Sequence, residues 1–516
     1  MFRRLLIFFV VLATVAAGAA PALAGTGNRP VRSCADLVRS FDVPHARTRV
    51  ASAVVVAGEP EFCDVRGTIE PDIGFQLKLP TRSYQGRYLQ YGCGGFCGII
   101  DDPGFPAGCG PAFGDAAVAA TDDGHQADPP WNGFDTTWAV DDQKARDDYF
   151  FRAPHVLSKV SKHIISVFYG KAPSHSYFSG CSNGGREGLL LAQRYPHDFD
   201  GIVAAAPAGY YSALIGYQAW IARNTIPNEK IFLLHDAVMA ACDGLDGLVD
   251  GQIDDPRLCS FDPGTLAPQL TPDEIARVRR LYDGPSDRGA RLYPGGQAYG
   301  SELGWTFWLN PTPEFGEAVS AGLADNALKN LVYPIGQPGS SLEGFEFTVR
   351  ELRRVSVEAG KADAVSLDLR EFRRAGGKLI IWHGAGDQGI PFEGTLDYWQ
   401  RLTGGRTPDW ARLFIVPSMW HCAGGDTLTD FDPLPELVSW VEGGRAPVRV
   451  VAVGRDQSGA VVRTRPVFPY PSRARYTGVG SVDDAVNFVA APGFVFSDRI
   501  RWAGEGVHHR PGPVAP

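Results

Sequence analysis

Ser176-Tyr-Phe-Ser-Gly-Cys-Ser-Asn-Gly-Gly-Arg-Glu-Gly-Leu-Leu-Leu-Ala-Gln-Arg-Tyr195 changes character at its middle: an aromatic, strand-forming start gives way to Gly180-x-Ser182-x-Gly184 and then to a helix-forming run that Pro196 stops. A side chain at either glycine would crowd the neighbouring elements, and the strained turn holds the Ser182 hydroxyl at the sheet edge and at the positive end of the helix. The amide of Asn183 then points to where an oxyanion would form. The five-residue motif alone is a weak signal, because an ordinary serine in a helix-capping loop reads the same way. The strand before it, the helix after it and a further strand from Gly201 to Ala206 favour a nucleophile.

Outward from this turn, short β-branched or aromatic runs alternate with Gly/Pro punctuation and helical stretches from about Val50 to Pro207, as in Arg87-Tyr-Leu-Gln-Tyr and Ala116-Ala-Val-Ala-Ala. That is the pattern of an α/β fold with a mostly parallel sheet and covering helices. It fades between residues 208 and 374 and resumes with Lys378-Leu-Ile-Ile-Trp and Arg412-Leu-Phe-Ile-Val, both buried-strand patterns. Residues 25–207 and 375–516 therefore read as one catalytic domain, and 208–374 as a large inserted lid.

Arg3 and Arg4, an apolar run from Leu5 to about Ala17 and Ala-Pro-Ala-Leu-Ala ending at Ala24 have the order of a cleaved export signal, so residues 1–24 are set aside. No later stretch approaches the roughly 20 uninterrupted apolar residues of a membrane span, and the mature protein is expected to be secreted. The remaining 490 or so residues, in a chain 44% hydrophobic and 11% aromatic, suffice for a large core. A net charge of −9 argues against nucleic acid or an anionic membrane as partner. The expected ligand is small and neutral or aromatic, no organic cofactor is indicated, and nothing in the sequence sets an oligomeric state. Nine cysteines in an exported chain favour disulfides and leave one over.

A serine hydroxyl needs an imidazole base, which needs a carboxylate to fix its tautomer. In folds with this strand–turn–helix nucleophile the chain order is Ser, acid, His. His383 ends the strand beginning at Lys378 and precedes Asp387, a loop position suited to the acid. His421 follows the strand beginning at Arg412, in Pro417-Ser-Met-Trp-His-Cys-Ala-Gly-Gly, a position suited to the base. Asp397 and Asp426 are weaker acid candidates, and His508 and His509 lie in a tail. Cys181 precedes Ser182 and Cys422 follows His421. If serine and histidine work as a pair, these neighbours lie within disulfide reach; two unrelated buried thiols are the alternative.

Gly180-Cys-Ser-Asn-Gly-Gly185, His383-Gly-x-x-Asp387 and His421-Cys422-x-Gly-Gly together resemble the tannase and feruloyl esterase family, over about Cys34 to Phe488. The resemblance implies an α/β-hydrolase core and hydrolysis of aromatic carboxylic esters through an acyl-enzyme, with feruloyl, galloyl and terephthaloyl groups all open. It implies a triad of Ser182, Asp387 and His421, a Cys181–Cys422 bridge, a Cys34–Cys63 bridge, and a second oxyanion amide from Gly94 or Gly95. Cys93 interrupts the family's glycine run, and the pairing of Cys93, Cys97 and Cys109 stays open. A secreted serine peptidase on the same core and a catalytically silent binding protein are the rival readings.

Cys242-Asp-Gly-Leu-Asp-Gly-Leu-Val-Asp-Gly-Gln252, closed further on by Cys259, crowds Asp243, Asp246 and Asp250 into a Gly-bent turn. Like charges so close call for a cation, and hard oxygen ligands suit calcium. The carbonyls of Leu248 and Gln252 would complete the shell of a structural ion, a site the family resemblance also implies. In the insertion, Tyr210, Tyr211, Trp305, Phe307, Trp308, Phe345 and Phe347 offer rings for an aromatic acyl group. Arg350, Arg353 and Arg354 read as a solvated helix face.

Overall fold

The computed structural model describes residues 28–100, 102–104, 114–129, 132–313 and 316–506. The export signal, Cys109, His508 and His509 lie outside these.

Ten strands form one sheet: β1 (Ser40–Phe41), β2 (Thr48–Val56), β3 (Phe62–Ile69), β4 (Ile73–Pro80), β5 (Arg87–Tyr91), β6 (Ala116–Thr121), β7 (His175–Cys181), β8 (Gly201–Ala205), β9 (Lys378–Gly384) and β10 (Ala411–Val416). Their spatial order is β1-β2-β3-β4-β6-β5-β7-β8-β9-β10. From β6 to β10 every pairing is parallel. From β1 to β6 the pairings are antiparallel, a wing that the alternation after Val50 did not reveal. Connection length is the reason. Residues 57–61 and 70–72 bring Val56 opposite Phe62 and Ile69 opposite Ile73, and such turns are too short for the crossover of roughly a dozen residues that parallel neighbours need.

In the parallel half the crossovers carry helices: α1 (Ala153–Tyr169) between β6 and β7, and α2 (Asn183–Arg194) between β7 and β8. Central strands β6 and β8 are buried along their whole length, which is why they read as unbroken small-apolar runs. Residues 206–377 connect adjacent strands β8 and β9 and include α3 (Tyr211–Ala222), α4 (Asn228–Cys242), α5 (Glu302–Trp308) and α6 (Val319–Asn330). Helix α3 packs on α6 through Tyr211, Ile215, Ala219, Ala324 and Leu328. Helix α7 (Phe392–Thr403) covers the crossover from β9 to β10. Small antiparallel pairs, Val450–Arg455 with Val461–Val467 and Arg473–Tyr476 with Phe488–Ala491, follow the sheet. Among the described residues no helix is long and apolar enough to cross a membrane. The carboxyl ends of β5, β7, β9 and β10 lead into Gly92, Ser182, Asp387 and His421, the edge where open α/β sheets place their ligands.

Candidate active site

Ser182 sits at φ 62°, ψ −117°, a left-handed conformation costly for a non-glycine residue, and it directly precedes α2. Its N–H donates to Ala205 O (3.0 Å) and its carbonyl accepts from Ala208 N (3.1 Å), so the end of β8 pins the turn. A Cβ on Gly180 would stand 2.6 Å from the Gly184 carbonyl carbon, and one on Gly185 would stand 2.2 Å from Ala205 O. Close approach therefore demands glycine at 185 as well, a position the motif leaves unnamed.

Asp387 is buried and four donors converge on it. Oδ2 faces His421 Nδ1 (2.8 Å) and His383 Nε2 (3.0 Å), while Oδ1 accepts from the amides of Gly389 (2.8 Å) and Ile390 (2.7 Å). Burial pushes this carboxyl up, but the His421 charge and the hydrogen bonds from His383 and His421 outweigh it and hold the group well below the usual carboxylate range. His383 Nε2 also lies 2.8 Å from Ile390 O, so both its neighbours are acceptors and the proton belongs on Nε2; Nδ1 faces the Thr395 hydroxyl (2.8 Å). His383 is thus a second imidazole on the same carboxylate, a role its strand-end position did not disclose although the H-G-x-x-D spacing contains it.

With Nδ1 of His421 directed at Asp387, Nε2 is left for the cavity, and Trp308 stands edge-on to the ring at 5.0 Å between centroids. Cys181 and Cys422 are bonded (S–S 2.05 Å, Cα–Cα 5.9 Å), which ties the residue before Ser182 to the residue after His421. Asp397 is engaged with Tyr210 and Arg401, and Asp426 lies beside His235.

Ser182 and His421 open into a cavity of about 490 Å³. One wall is Gly92 to Phe96 with Asn183; the other comes from the insertion, through Tyr211, Leu214, Ile215, Phe307, Trp308, Val319 and Leu323. Of the seven rings considered from sequence, Tyr211, Phe307 and Trp308 line it. Tyr210 and Trp305 are buried in core, and Phe345 and Phe347 pack on each other elsewhere. Among the described lining residues none is Lys, Arg, Asp or Glu. The internal segments outside the description contain no Lys or Arg. Arg350 pairs with Glu346, Arg354 with Glu351, and Arg353 is exposed, as a solvated helix face. Gly94 and Gly95 lie in the cavity wall on a loop closed by a Cys93–Cys97 disulfide, the pairing that sequence left open.

Cys34–Cys63 and Cys242–Cys259 are also bonded. Within the second, Asp243 accepts from the amides of Asp250, Gly251 and Gln252. Asp246, Leu248, Asp250 and Asp254 line a common hollow with Arg465, which donates to Asp250 at 2.6 Å. Burial and the charges of Asp254 and Asp250 push Asp246 up to about 7. Asp254 and Arg465 were not anticipated. Arg473 and Arg475 line the hollow as well and Arg463 lies 3.8 Å from Asp250, so guanidinium groups offset part of the carboxylate charge. What the cluster would offer a cation is the hard carboxylate and carbonyl oxygens that calcium takes.

Residues 54–491 match the family model described as tannase and feruloyl esterase. The mono(2-hydroxyethyl) terephthalate hydrolase of Piscinibacter sakaiensis is 31% identical, with 90% of each chain covered. An esterase from Aspergillus oryzae superposes with a TM-score of 0.75 at 25% identity, covering 89% of this chain and 100% of that one. Feruloyl esterase B from Aspergillus oryzae gives 0.74 at 24%, covering 87% and 98%. With an α/β-hydrolase sheet, a serine elbow at the end of β7 and a family match over most of its length, the chain belongs to the tannase and feruloyl esterase family and is a carboxylic ester hydrolase.

Proposed function

We propose that this chain is an exported serine esterase that cleaves uncharged aromatic carboxylic esters through an acyl-enzyme. Ser182 Oγ attacks the ester carbonyl while His421 Nε2 takes its proton and passes it to the leaving alcohol; water then enters by the reverse route. Asp387 fixes the His421 tautomer and offsets the imidazolium charge. The amide of Asn183 and one from Gly94 or Gly95 hold the oxyanion. The observation that carries this reading is the 2.8 Å contact of Asp387 Oδ2 with His421 Nδ1, beside a disulfide that draws His421 to the serine turn.

The cavity supports the substrate class. Apolar and aromatic walls suit an aromatic acyl group, and a carboxylate on that group would be buried without a counter-charge among the described lining residues. Feruloyl-type neutral esters are therefore favoured over terephthaloyl monoesters that carry a free acid. Wild-type enzyme is expected to turn over methyl ferulate with a kcat/KM about 100-fold above that for a terephthalate monoester, a difference of about 2.7 kcal/mol. Ser182→Ala should lower turnover of the neutral ester by about 10⁴-fold or more. Steady-state assays of both proteins on both esters decide it: residual activity near wild type in the variant rejects the nucleophile, and equal rates on the two esters reject the substrate class.

Residues 1–24 keep their export reading, and four disulfides among the described residues suit an oxidising compartment. We further propose a structural calcium ion held by Asp243, Asp246 and Asp250 with the carbonyls of Leu248 and Gln252. At a calcium concentration about 1,000 times its Kd, such an ion adds about 4 kcal/mol to stability. A chelator should accordingly lower the melting temperature by several degrees, and calcium should restore it. Melting curves that coincide with and without chelator would remove the ion from the account.

A further inference from the structure

We infer that Glu187 is a positioning residue for ester hydrolysis, clamping Asn183 to the Cys93–Cys97 loop so that the two oxyanion amides face Ser182 together. This rests on the oxyanion reading of Asn183 and Gly94 or Gly95 given above. The two segments come from different strands: residues 92–97 follow β5, and residues 183–187 follow β7. Something must hold them in register. Glu187 lies one helical turn beyond Asn183, so both side chains share one face of α2. Its Oε1 accepts from Asn183 Nδ2 at 2.7 Å, and the same carboxyl accepts from the backbone N–H of Cys93, which ties it to the loop. Its Oε2 is close enough to the glycine that opens the loop to stand 2.8 Å from any Cβ on Gly92. The other end of the Asn183 amide is fixed too, since Oδ1 accepts from Arg186 Nε (2.7 Å) and the Tyr149 hydroxyl (3.1 Å).

A second carboxyl is packed against the clamp. Asp123, on the turn after β6, places an oxygen within 4.8 Å of Glu187 and both disulfide sulfurs, and all four residues are buried. Two carboxylates at that separation in the core do not both ionise. Burial and mutual repulsion push Asp123 well above its ordinary range, and burial pushes Glu187 up to about 8, with the Arg186 charge opposing. The charged and titratable groups around the pair are Arg186 on the same helix, Asp122 beside Asp123, and Asp148 and Tyr149 from the segment leading into α1. Also nearby is His125, kept neutral by burial down to about 4. Tyr149 is pushed up to about 12 and stays neutral. Glutamine, which keeps the accepting oxygen and cannot ionise, is therefore a close substitute, whereas alanine removes the clamp.

Purified full-length wild type, Glu187→Gln, Glu187→Ala and Ser182→Ala are assayed on methyl ferulate at pH 7. Glu187→Gln should keep kcat within about threefold of wild type at pH 7, because its amide oxygen can still accept from Asn183 Nδ2. Glu187→Ala should lose about 10- to 100-fold in kcat with KM within twofold, the signature of misplaced transition-state donors and not of lost binding. Wild-type kcat in a folded Glu187→Ala, or a Glu187→Gln as impaired as the alanine variant, overturns the inference. Should Glu187→Ala fail to fold, Glu187→Leu, which fills the buried space without an acceptor, takes its place, and a wild-type kcat in it overturns the inference. Turnover by Ser182→Ala overturns the nucleophile reading and this inference with it; a dead Ser182→Ala beside an unimpaired Glu187→Ala overturns this inference only.

Discussion

Asp387→Asn is expected to lower kcat by about 10⁴-fold with KM little changed. A carboxylate only accepts hydrogen bonds, and here all four of its visible contacts come from donors: two imidazole nitrogens on Oδ2 and two backbone amides on Oδ1. Asparagine must turn an NH₂ toward one of those pairs. Turned to the imidazoles, it meets His421 Nδ1 with a donor and drives the proton to Nε2, where the ring can no longer accept from Ser182. Turned to the amides, it leaves two buried N–H groups without acceptors, at about 1–3 kcal/mol each. Asp387 is held below its ordinary range in the folded chain, so its contribution to stability is present above about pH 4 and is lost as pH falls through the lowered folded value. The stability gap between wild type and variant should therefore be widest near neutral pH and shrink in acid. Single-turnover kinetics at pH 7 and urea midpoints at pH 7 and below 4 read both effects, and a kcat within tenfold of wild type would refute the assignment of the acid.

Much of this site is legible because backbone geometry constrains it locally. A serine between glycines, after a strand and before a helix, restricts the turn to one shape, and chain order then selects among the later Asp and His residues. What escaped depends on packing. His383 meets Asp387 only because its ring lies between Thr395 and Ile390, an arrangement with no periodic trace. Counting rings in the insertion could not separate Trp305, wholly buried, from Trp308 against His421, since both occupy the same apolar helix. Glu187 was visible at the i+4 position from Asn183, but a charged residue in a helix reads by default as solvent-facing. The antiparallel wing was also within reach: Glu70-Pro71-Asp72 is a reversal, and strand pattern alone does not report direction.

Replacing Cys181 and Cys422 together by serine is expected to slow the enzyme about 100-fold and to lower its melting temperature by roughly 5 °C. The stability part follows from chain entropy: the bridge spans 241 residues of sequence, and closing so long a loop in the unfolded chain is worth about 5 kcal/mol, spread over the unfolding entropy of a large domain. The kinetic part follows from where the bridge sits. The His421 turn contains Ser418 at φ 53° and Cys422 at φ 67°, both left-handed without being glycine, so the turn is not the shape a free segment would choose. The bridge holds that turn against Cys181, one residue from the serine. Cys181 and Cys422 are half-buried, whereas the cysteines of the other three bridges are buried, so a small thiol reaches this bond first. Brief exposure to dithiothreitol at low temperature should therefore reproduce the slow kcat of the double variant, and the variant should be indifferent to the reagent. A reduced enzyme that keeps its full rate, with mass spectrometry showing free thiols at 181 and 422, would mean that packing alone aligns the imidazole with the serine.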